Sequence, residues 1–382
     1  MGFSRTNTAT LRPAARQDAS LRLNLLQVLR AVAALMVVVH HLRHELGALA
    51  LGGTGAAPLP WWAGVDVFFV ISGFIMVHAT GPDYDRPGGR ARFLAHRIAR
   101  VVPLYWLVTL LFLGVALAAP RALGDAGAAT NPAYVAASFL FWPAARADGS
   151  VLPLYGLGWT LNYEMFFYAV FAFGLGAGRA WTVAFTAALF AVLVTAGAAL
   201  RPLPTPLAFW SDPIVTEFLF GATLGLVHGG GIRLAAAPRL ALALAGTAGL
   251  AVFGTGEPSG FARPLLAGLP AAMLVAAATL GRSGGTPSMH RLVRPLISPL
   301  VRLGDASYAL YLVHPFALRA MREAVARLGG APTLGALGVG TLMLAGSVAA
   351  ALLTYRLVER PLTRRLRRLL DRGGAAGHAK TV

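Results

Sequence analysis

The sequence has no cysteine, which excludes disulfide bonds, thiolate catalysis and cysteine-bound metal sites. Charged residues are also scarce: they make up 13% of the 382 residues, about half the share found in an ordinary soluble domain. Lysine is almost absent, since Lys380 is the only one and the other basic residues are arginines. With 57% hydrophobic residues and a mean hydropathy of +0.65, the chain is predicted to be an integral membrane protein.

Ten apolar stretches are predicted to cross the membrane as helices. They cover residues 24–46, 63–80, 101–118, 156–176, 180–200, 213–229, 239–255, 264–281, 305–320 and 333–357. The predicted fold class is therefore an all-α integral membrane protein, with about ten transmembrane helices around a polar cavity. With the N-terminus in the cytoplasm, the inner segments hold about three times as many basic residues as the outer ones. This bias predicts that both termini are cytoplasmic, and it explains the net charge of +18 without nucleic acid.

The predicted organisation has three parts. Residues 1–22 form a basic cytoplasmic tail, residues 23–357 form the transmembrane domain, and residues 358–382 form a second basic cytoplasmic tail. The segment from Arg356 to Arg372 has the pattern of a basic amphipathic helix, and we predict that it lies on anionic headgroups without a catalytic part. The expected location is a bacterial-type inner membrane.

The first predicted span contains polar residues that a lipid-facing helix does not need. Arg30 lies eleven positions before His41. The two residues therefore lie about 16 Å apart along one face of a helix. Such a face indicates a polar cavity, because ionisable residues in a membrane helix are costly elsewhere. His40 lies on a different face, and we predict that it packs against a neighbouring helix or lipid. The alternative is that Arg30 extends to the headgroups and the histidines mark the membrane interface.

Two further motifs place charges on the second and third spans. The motif GVDVFFVISGF contains Asp66, which either orients an imidazole or caps its own helix. Its Ser72 and Gly73 are small, and we predict that they serve close helix packing. The motif HRIARVVPLYW contains Arg97 and Arg100 on one helical face. These two guanidiniums either bind a phosphate or supply the usual inner-side charge.

The motif GWTLNYEMFFY places a carboxylate, Glu164, inside the fourth span. A carboxylate among aromatic side chains needs a partner or a proton, and we expect an ion pair between Glu164 and His41 or Arg30. Trp159 and Asn162 lie nearer the outer end of the same span. No structural requirement explains a glutamate in this position, so the motif indicates a functional site.

The motif GDASYALYLVHP contains a third polar face within a predicted span. Ser307, Tyr311 and His314 lie on one side of the helix, and Pro315 removes a helical hydrogen bond beside them. A broken helix with a histidine at the break is typical of a cavity wall. The alternative is that His314 is packed and hydrogen-bonded in the protein core.

Taken together, these motifs resemble those of the acyltransferase-3 family of integral membrane acyltransferases, and most closely its exopolysaccharide O-acetyltransferase branch. The motifs that carry the resemblance are, in order, LRAVAALMVVVHH, GVDVFFVISGF, RIARVVPLYW, GWTLNYEMFFY, GDASYALYLVHP and VERP. They extend from about residue 24 to residue 361. The resemblance places the family's arginine–ten residues–histidine signature on Arg30 and His41. It places the Arg-x-x-Arg motif on Arg97 and Arg100, and the intramembrane glutamate on Glu164.

The resemblance implies acyl transfer from cytoplasmic acyl-CoA to a hydroxyl of an exported or lipid-linked polysaccharide. We expect acetyl-CoA as the donor substrate, a polysaccharide or glycolipid acceptor, and no metal or permanently bound cofactor. The expected catalytic residues are His41 as general base, Glu164 as its orienting or charge-stabilising partner, and Arg30 as the group that attracts the thioester or its phosphates. The expected substrate-binding residues are Asp66, Arg97, Arg100, Trp106, Trp159, Asn162, Ser307, Tyr311 and His314.

Other functions remain open at the level of the sequence. A multi-spanning transporter or flippase of a glycolipid or carbohydrate also uses buried Arg, His and Glu residues, although no internal repeat is visible here. A narrower alternative keeps the chemistry and changes the acceptor to lipopolysaccharide, peptidoglycan or a macrolide-like small molecule. The sequence also leaves open whether the chain forms a homo-oligomer.

Overall fold

The computed structural model describes residues 13–51, 59–118, 131–200, 202–252, 256–282 and 287–378. The first part contains α1 (Pro13–Ala48), α2 (Gly64–Ala79), α3 (Gly89–Ala118), α4 (Pro132–Phe139), α5 (Trp159–Gly174), α6 (Arg179–Ala199) and α7 (Thr205–Trp210). The second part contains α8 (Thr216–Gly229), α9 (Ala236–Val252), α10 (Leu269–Thr279), α11 (Pro287–Asp305), α12 (Ser307–Arg327), α13 (Ala331–Thr354) and α14 (Arg360–His378). Within these ranges, the only β-type pairing is an isolated bridge between Leu234 and Gly281.

The helices agree with the predicted all-α membrane class. Among the described residues, five apolar helical segments are long enough to cross a bilayer: Asn24–Ala48, Trp61–Ala79, Gly89–Ala118, Arg179–Ala199 and Ala331–Asp371. Three predicted spans correspond to shorter apolar segments, Pro213–Gly229, Ala236–Val252 and Pro264–Thr279. The two remaining predicted spans coincide with α5 and α12. The all-helical class is therefore confirmed, and the number of ten crossings stays a prediction.

Helices α2 and α8 form a close pair that depends on small residues. A Cβ added at Gly73 would collide with the Phe218 carbonyl, and one added at Gly221 would collide with the Val70 carbonyl. Only glycine therefore allows the two backbones to approach this closely. The packing role predicted for Gly73 is confirmed.

Four of the described helices, α4, α7, α11 and α14, lie in segments that were not predicted to be spans. Helix α11 occupies residues that the sequence prediction treated as an inner loop, and its interior contains Pro295 and Pro299. Proline normally interrupts a helix, which is why the sequence did not indicate α11. It packs along α1, and Gly304 at its end lies against the Gln27 backbone. In the segment between α3 and α5, α4 begins after Asn131, whose side chain accepts hydrogen bonds from the Ala133 and Tyr134 amides.

The predicted tails are described only in part. Residues 1–12 of the predicted N-terminal tail lie outside the described residues, and α1 begins at Pro13. At the other end, α13 continues through a π-helical turn, Tyr355–Glu359, into α14. A π-helical turn also precedes α10, at Pro264–Gly268. Such turns inside helices are frequent at functional sites.

Candidate active site

Helices α1, α2, α3, α5 and α12 enclose a cavity of about 240 Å³, called here the central cavity. Apolar side chains from α2 and α3 form much of its wall, including Phe68, Phe69, Ile71 and Val101. The predicted site residues that line it are Arg30, Arg97, Arg100, Glu164, Ser307 and Tyr311. Residues that are far apart in sequence therefore meet around one cavity.

A second space of about 120 Å³, called here the histidine cavity, adjoins the central cavity. Val65 and Tyr311 line both cavities and therefore form the boundary between them. The other residues that line the histidine cavity are Val37, His40, His41, Trp62, Leu157, Trp159, Glu257 and Arg263. His41 and Arg30, which lie along one face of α1, thus belong to two neighbouring cavities rather than to one.

A third space of about 150 Å³, called here the arginine cavity, adjoins the opposite end of the central cavity. Gln27, Arg30 and Arg100 line both spaces. Helix α14 contributes Arg360, Thr363, Arg364 and Arg367 to the wall of the arginine cavity, and the remaining lining residues are Asp305, Tyr355 and Glu359. The C-terminal helix therefore forms part of a cavity wall, which the prediction of a peripheral anchor did not include.

The hydrogen bonds around His41 determine which nitrogen of its imidazole ring carries the proton. Its Nδ1 lies 2.9 Å from the Val37 carbonyl oxygen, which accepts only, so Nδ1 must carry a proton. Nδ1 of His314 must carry a proton for the same reason, because it lies 2.9 Å from the Leu310 carbonyl oxygen. His314 Nε2 then accepts a long, shared hydrogen bond from His41 Nδ1 at 3.4 Å. In the neutral ring, His41 Nε2 therefore has the lone pair that a general base needs.

His314 does not occupy the position predicted for a substrate-binding residue. Its side chain is completely buried, and its ring centroid lies 5.0 Å from that of His41. It is absent from the lining of all three cavities. Among the cavity-lining residues predicted to act in catalysis, His314 contacts His41, at 3.4 Å from Nε2 to Nδ1.

Glu164 lines the central cavity, but the expected ion pair with His41 or Arg30 is absent among the residues described. Its Oε1 instead accepts a hydrogen bond from the Ser72 hydroxyl at 3.0 Å and a second, short one from the Tyr168 hydroxyl. These two donors satisfy the carboxylate oxygen without a cation, which is why the predicted pairing is wrong. Ser72 also has a role beyond the packing predicted for it, because it joins α2 to α5.

Asp66 does not orient His41, so the predicted pairing of Asp66 with an imidazole is wrong. The fully buried Asp66 side chain binds Arg263 through two hydrogen bonds, from Nε at 2.8 Å and from Nη2 at 3.1 Å. Arg263 also donates Nη1 to Glu257 Oε1 at 2.6 Å. Asp66 and Arg263 are 197 positions apart, and the sequence prediction counted Arg263 only as a charge in an outer loop.

Two other predicted substrate-binding residues lie away from the three cavities. Trp106 is exposed, and its indole nitrogen donates to the Phe139 carbonyl at 2.9 Å, which ties α3 to α4. Asn162 is buried on α5 and lines none of the three cavities. Both residues share a motif with true lining residues, but they point to other sides of their helices. Neither residue lines one of these three cavities, and their assignment to substrate binding stays a prediction.

His40 lies at the site although the sequence placed it elsewhere. It lines the histidine cavity together with His41, although it was predicted to pack against a helix or lipid. Its ring lies 5.2 Å from that of His41 and 5.4 Å from that of His44. Both imidazoles reach the same cavity because its wall extends around the side of α1, which a helical wheel alone does not reveal.

The family comparison agrees with this arrangement of motifs. The model of the acyltransferase domain matches residues 23–356, which is most of the chain. The chain belongs to the acyltransferase-3 family. Membership confirms the resemblance inferred from the motifs and identifies the chain as a membrane protein of an acyltransferase family.

Two relatives add further information on this acyltransferase-3 chain. It is 36% identical over 322 residues to the exopolysaccharide production protein ExoZ of Rhizobium meliloti (strain 1021), covering 83% of this chain and 94% of the relative. It is 31% identical over 190 residues to protein 2 in the picA locus of Rhizobium radiobacter, covering 46% of this chain and 95% of that relative. No solved structure matches the chain.

Proposed function

We propose that the chain is an O-acyltransferase that moves an acetyl group from cytoplasmic acyl-CoA to a hydroxyl of an exported or lipid-linked polysaccharide. The observation that carries the proposal is His41. Its protonated Nδ1 leaves Nε2 as a base, in a cavity that adjoins a second cavity lined by arginines. The relative named for exopolysaccharide production supports the class of acceptor.

The arginine cavity is the proposed binding site for the nucleotide end of acyl-CoA. CoA carries several phosphate charges, and guanidiniums recognise phosphate oxygens by charge-assisted hydrogen bonds. Arg100 and Arg30 lead from this cavity into the central cavity. The buried Nε atoms of Arg97 and Arg367 have no hydrogen-bond partner among the described residues, so donors are available for an anionic ligand.

The central cavity is the proposed channel for the pantetheine arm and the thioester. Its apolar walls suit an extended, uncharged chain, while Arg30, Arg97 and Arg100 lie near its phosphate end. At the other end, the Tyr311 hydroxyl lies 2.8 Å from the Thr160 hydroxyl, at the boundary with the histidine cavity. An acyl group at this boundary would meet an acceptor hydroxyl in the histidine cavity.

The proposed reaction needs no covalent acyl-enzyme. His41 Nε2 removes the proton of the acceptor hydroxyl while the oxygen attacks the thioester carbonyl carbon. The carbon–sulfur bond of the tetrahedral intermediate then breaks, and the imidazolium returns the proton to the leaving sulfur. The products are the acyl ester and free CoA, and His41 is again neutral. His314 Nε2 accepts from His41 Nδ1 throughout and stabilises the imidazolium.

Glu164 stays in the proposed catalytic set with a changed role. It lines the same cavity as Arg30, Arg97 and Arg100, and its hydrogen bonds to Ser72 and Tyr168 fix its position there. A fixed carboxylate among three guanidiniums limits the positive charge around the thioester, so that the arginines hold the phosphates without trapping the product.

Two measurements test the proposal: the masses of surface glycans, and the transfer of labelled acetyl groups in membranes. Mass spectrometry of surface polysaccharide from a deletion strain should show the loss of an acetyl mass that the intact gene restores. Membranes containing the chain should transfer label from acetyl-CoA to that polysaccharide. Unchanged glycan masses together with movement of unmodified glycolipid across the membrane would support the transporter alternative instead.

A further inference from the structure

The wall of the histidine cavity also contains a charged and aromatic cluster that the proposed reaction does not use. It consists of Trp62, Trp159, Glu257 and Arg263, all of which line the cavity. Arg263 lies between the two indoles, with its guanidinium carbon 5.6 Å from the Trp62 ring centroid and 5.9 Å from the Trp159 ring centroid. We call these four residues the acceptor wall.

The hydrogen bonds of Arg263 are shared between two carboxylates, Glu257 in the acceptor wall and Asp66 outside it. Nε and Nη2 donate to Asp66, and Nη1 donates to Glu257, so one guanidinium neutralises only one of two carboxylates. The Arg263 side chain is 10% exposed, whereas the Glu257 side chain is 48% exposed. Arg263 is therefore held by its partners, and the surplus negative charge lies at the accessible carboxylate of Glu257.

Two polar groups in the acceptor wall are available to a ligand. One Glu257 oxygen, Oε1, accepts from Arg263, and the other oxygen is free to accept a hydroxyl hydrogen. The Trp62 side chain is 5% exposed, and its buried indole N–H has no hydrogen-bond partner among the described residues. A buried donor without a partner is unusual, and a ligand oxygen would satisfy it.

We infer that the acceptor wall binds an uncharged sugar unit of the acceptor and selects against sugars that carry a carboxylate. Indole faces pack against the apolar face of a sugar ring, Glu257 accepts a hydroxyl next to the reacting one, and Trp62 donates to a sugar oxygen. An anionic sugar would meet the charge of Glu257 and be repelled. This inference deepens the proposed function and rests on it.

Equilibrium binding in the absence of acyl-CoA tests the acceptor wall independently of catalysis. The probes are radiolabelled methyl β-D-glucoside and methyl β-D-glucuronide, which differ in one carboxylate. The full chain should bind the glucoside at least about tenfold more tightly than the glucuronide, as expected when one sugar charge faces Glu257. Glu257→Gln should weaken glucoside binding and reduce this preference to about twofold. Trp62→Phe, which keeps an aromatic ring, should weaken glucoside binding about fivefold.

Glu323→Gln provides the matched control. The Glu323 side chain is 50% exposed and paired with Arg322, as Glu257 is paired with Arg263, but it lines none of the three cavities. Its substitution should leave both affinities unchanged. Equal or tighter binding of the glucuronide by the native chain would overturn the inference, as would unchanged binding in Glu257→Gln. If the sugars bind as expected but acetyl transfer is absent, the result supports sugar binding by the acceptor wall and contradicts the proposed enzyme activity.

Discussion

At the scale of single residues, the proposed chemistry depends on a pair of histidines from distant parts of the chain. His41 and His314 are 273 positions apart, and their Nδ1 protons both point at backbone carbonyls of their own helices. The backbone therefore sets the tautomer of each ring, which leaves His41 Nε2 as the base. His314 takes the place that a carboxylate has in many catalytic triads, without adding a charge to the membrane interior.

Replacement of His314 by leucine should lower kcat while the KM for acetyl-CoA stays the same. The substitution removes the acceptor for His41 Nδ1–H, and loss of a partner that stabilises the imidazolium should cost about tenfold or more in rate. His314→Asn keeps an acceptor oxygen and should recover part of the activity. Initial rates of labelled acetyl transfer measure both values. A proportional rise in KM in the leucine variant would indicate a substrate-binding role instead.

The sequence predicted which residues face a cavity better than it predicted their partners. Helical periodicity placed Arg30, His41 and Tyr311 on cavity-facing sides, and all three line a cavity. Glu164, which was singled out because a buried carboxylate is costly, lines one as well. Partners depend on how helices pack across the bundle, which periodicity does not contain. The Asp66–Arg263 and Ser72–Glu164 contacts therefore appeared only in the structure.

At the scale of helices, α14 differs most from what the sequence predicted for it. Arg364 and Arg367 lie one turn apart and line the arginine cavity, whereas Arg365 and Arg368 on the same helix do not line it. The amphipathic pattern predicted a helix on the membrane surface, and it gave no sign that one face closes a cavity. That face is basic rather than apolar, so it is suited to an anionic ligand.

The double variant Arg364→Ala/Arg367→Ala should raise the KM for acetyl-CoA about tenfold, because two guanidinium–phosphate contacts near solvent, worth about 0.7 kcal/mol each, together correspond to that factor. The kcat should change less than about twofold if the phosphates bind equally in the ground and transition states. Steady-state kinetics at low and high salt measure both effects, and high salt should reduce the difference.

The variant Arg365→Ala/Arg368→Ala controls for this test, since it removes the same charge from the same helix. Its KM for acetyl-CoA should equal that of the native chain. Equal increases in both double variants would assign the effect to the general charge of α14 rather than to the arginine cavity.

At the scale of the whole molecule, the three cavities form a series from the arginine-rich end to the histidine-rich end. Shared lining residues connect them: Arg30 and Arg100 on one side, and Val65 and Tyr311 on the other. Such a series suits a reaction whose donor and acceptor approach from opposite sides of a membrane. The excess of basic residues in the predicted inner segments predicts that the arginine cavity lies on the cytoplasmic side.

The absence of native cysteine allows this orientation to be tested with single cysteines. Ala147, in the segment between α4 and α5, and Arg368, on α14, are both exposed. In intact spheroplasts, a membrane-impermeant maleimide should label Ala147→Cys, whereas Arg368→Cys should react only after lysis. The opposite labelling pattern would invert the topology and with it the side from which acyl-CoA arrives.

The most direct test of the mechanism compares His41→Ala with His44→Ala in acetyl transfer. His44 lies on the same helix, is exposed and lines none of the three cavities, so its loss controls for effects on α1. Label transferred from acetyl-CoA to polysaccharide is measured in membranes and normalised to inserted protein. His41→Ala should lose about 10²–10⁴-fold in rate, as expected for a general base, while His44→Ala should stay within about twofold of the native chain. A His41→Ala variant that keeps more than about a tenth of the native rate would contradict the assignment of the base.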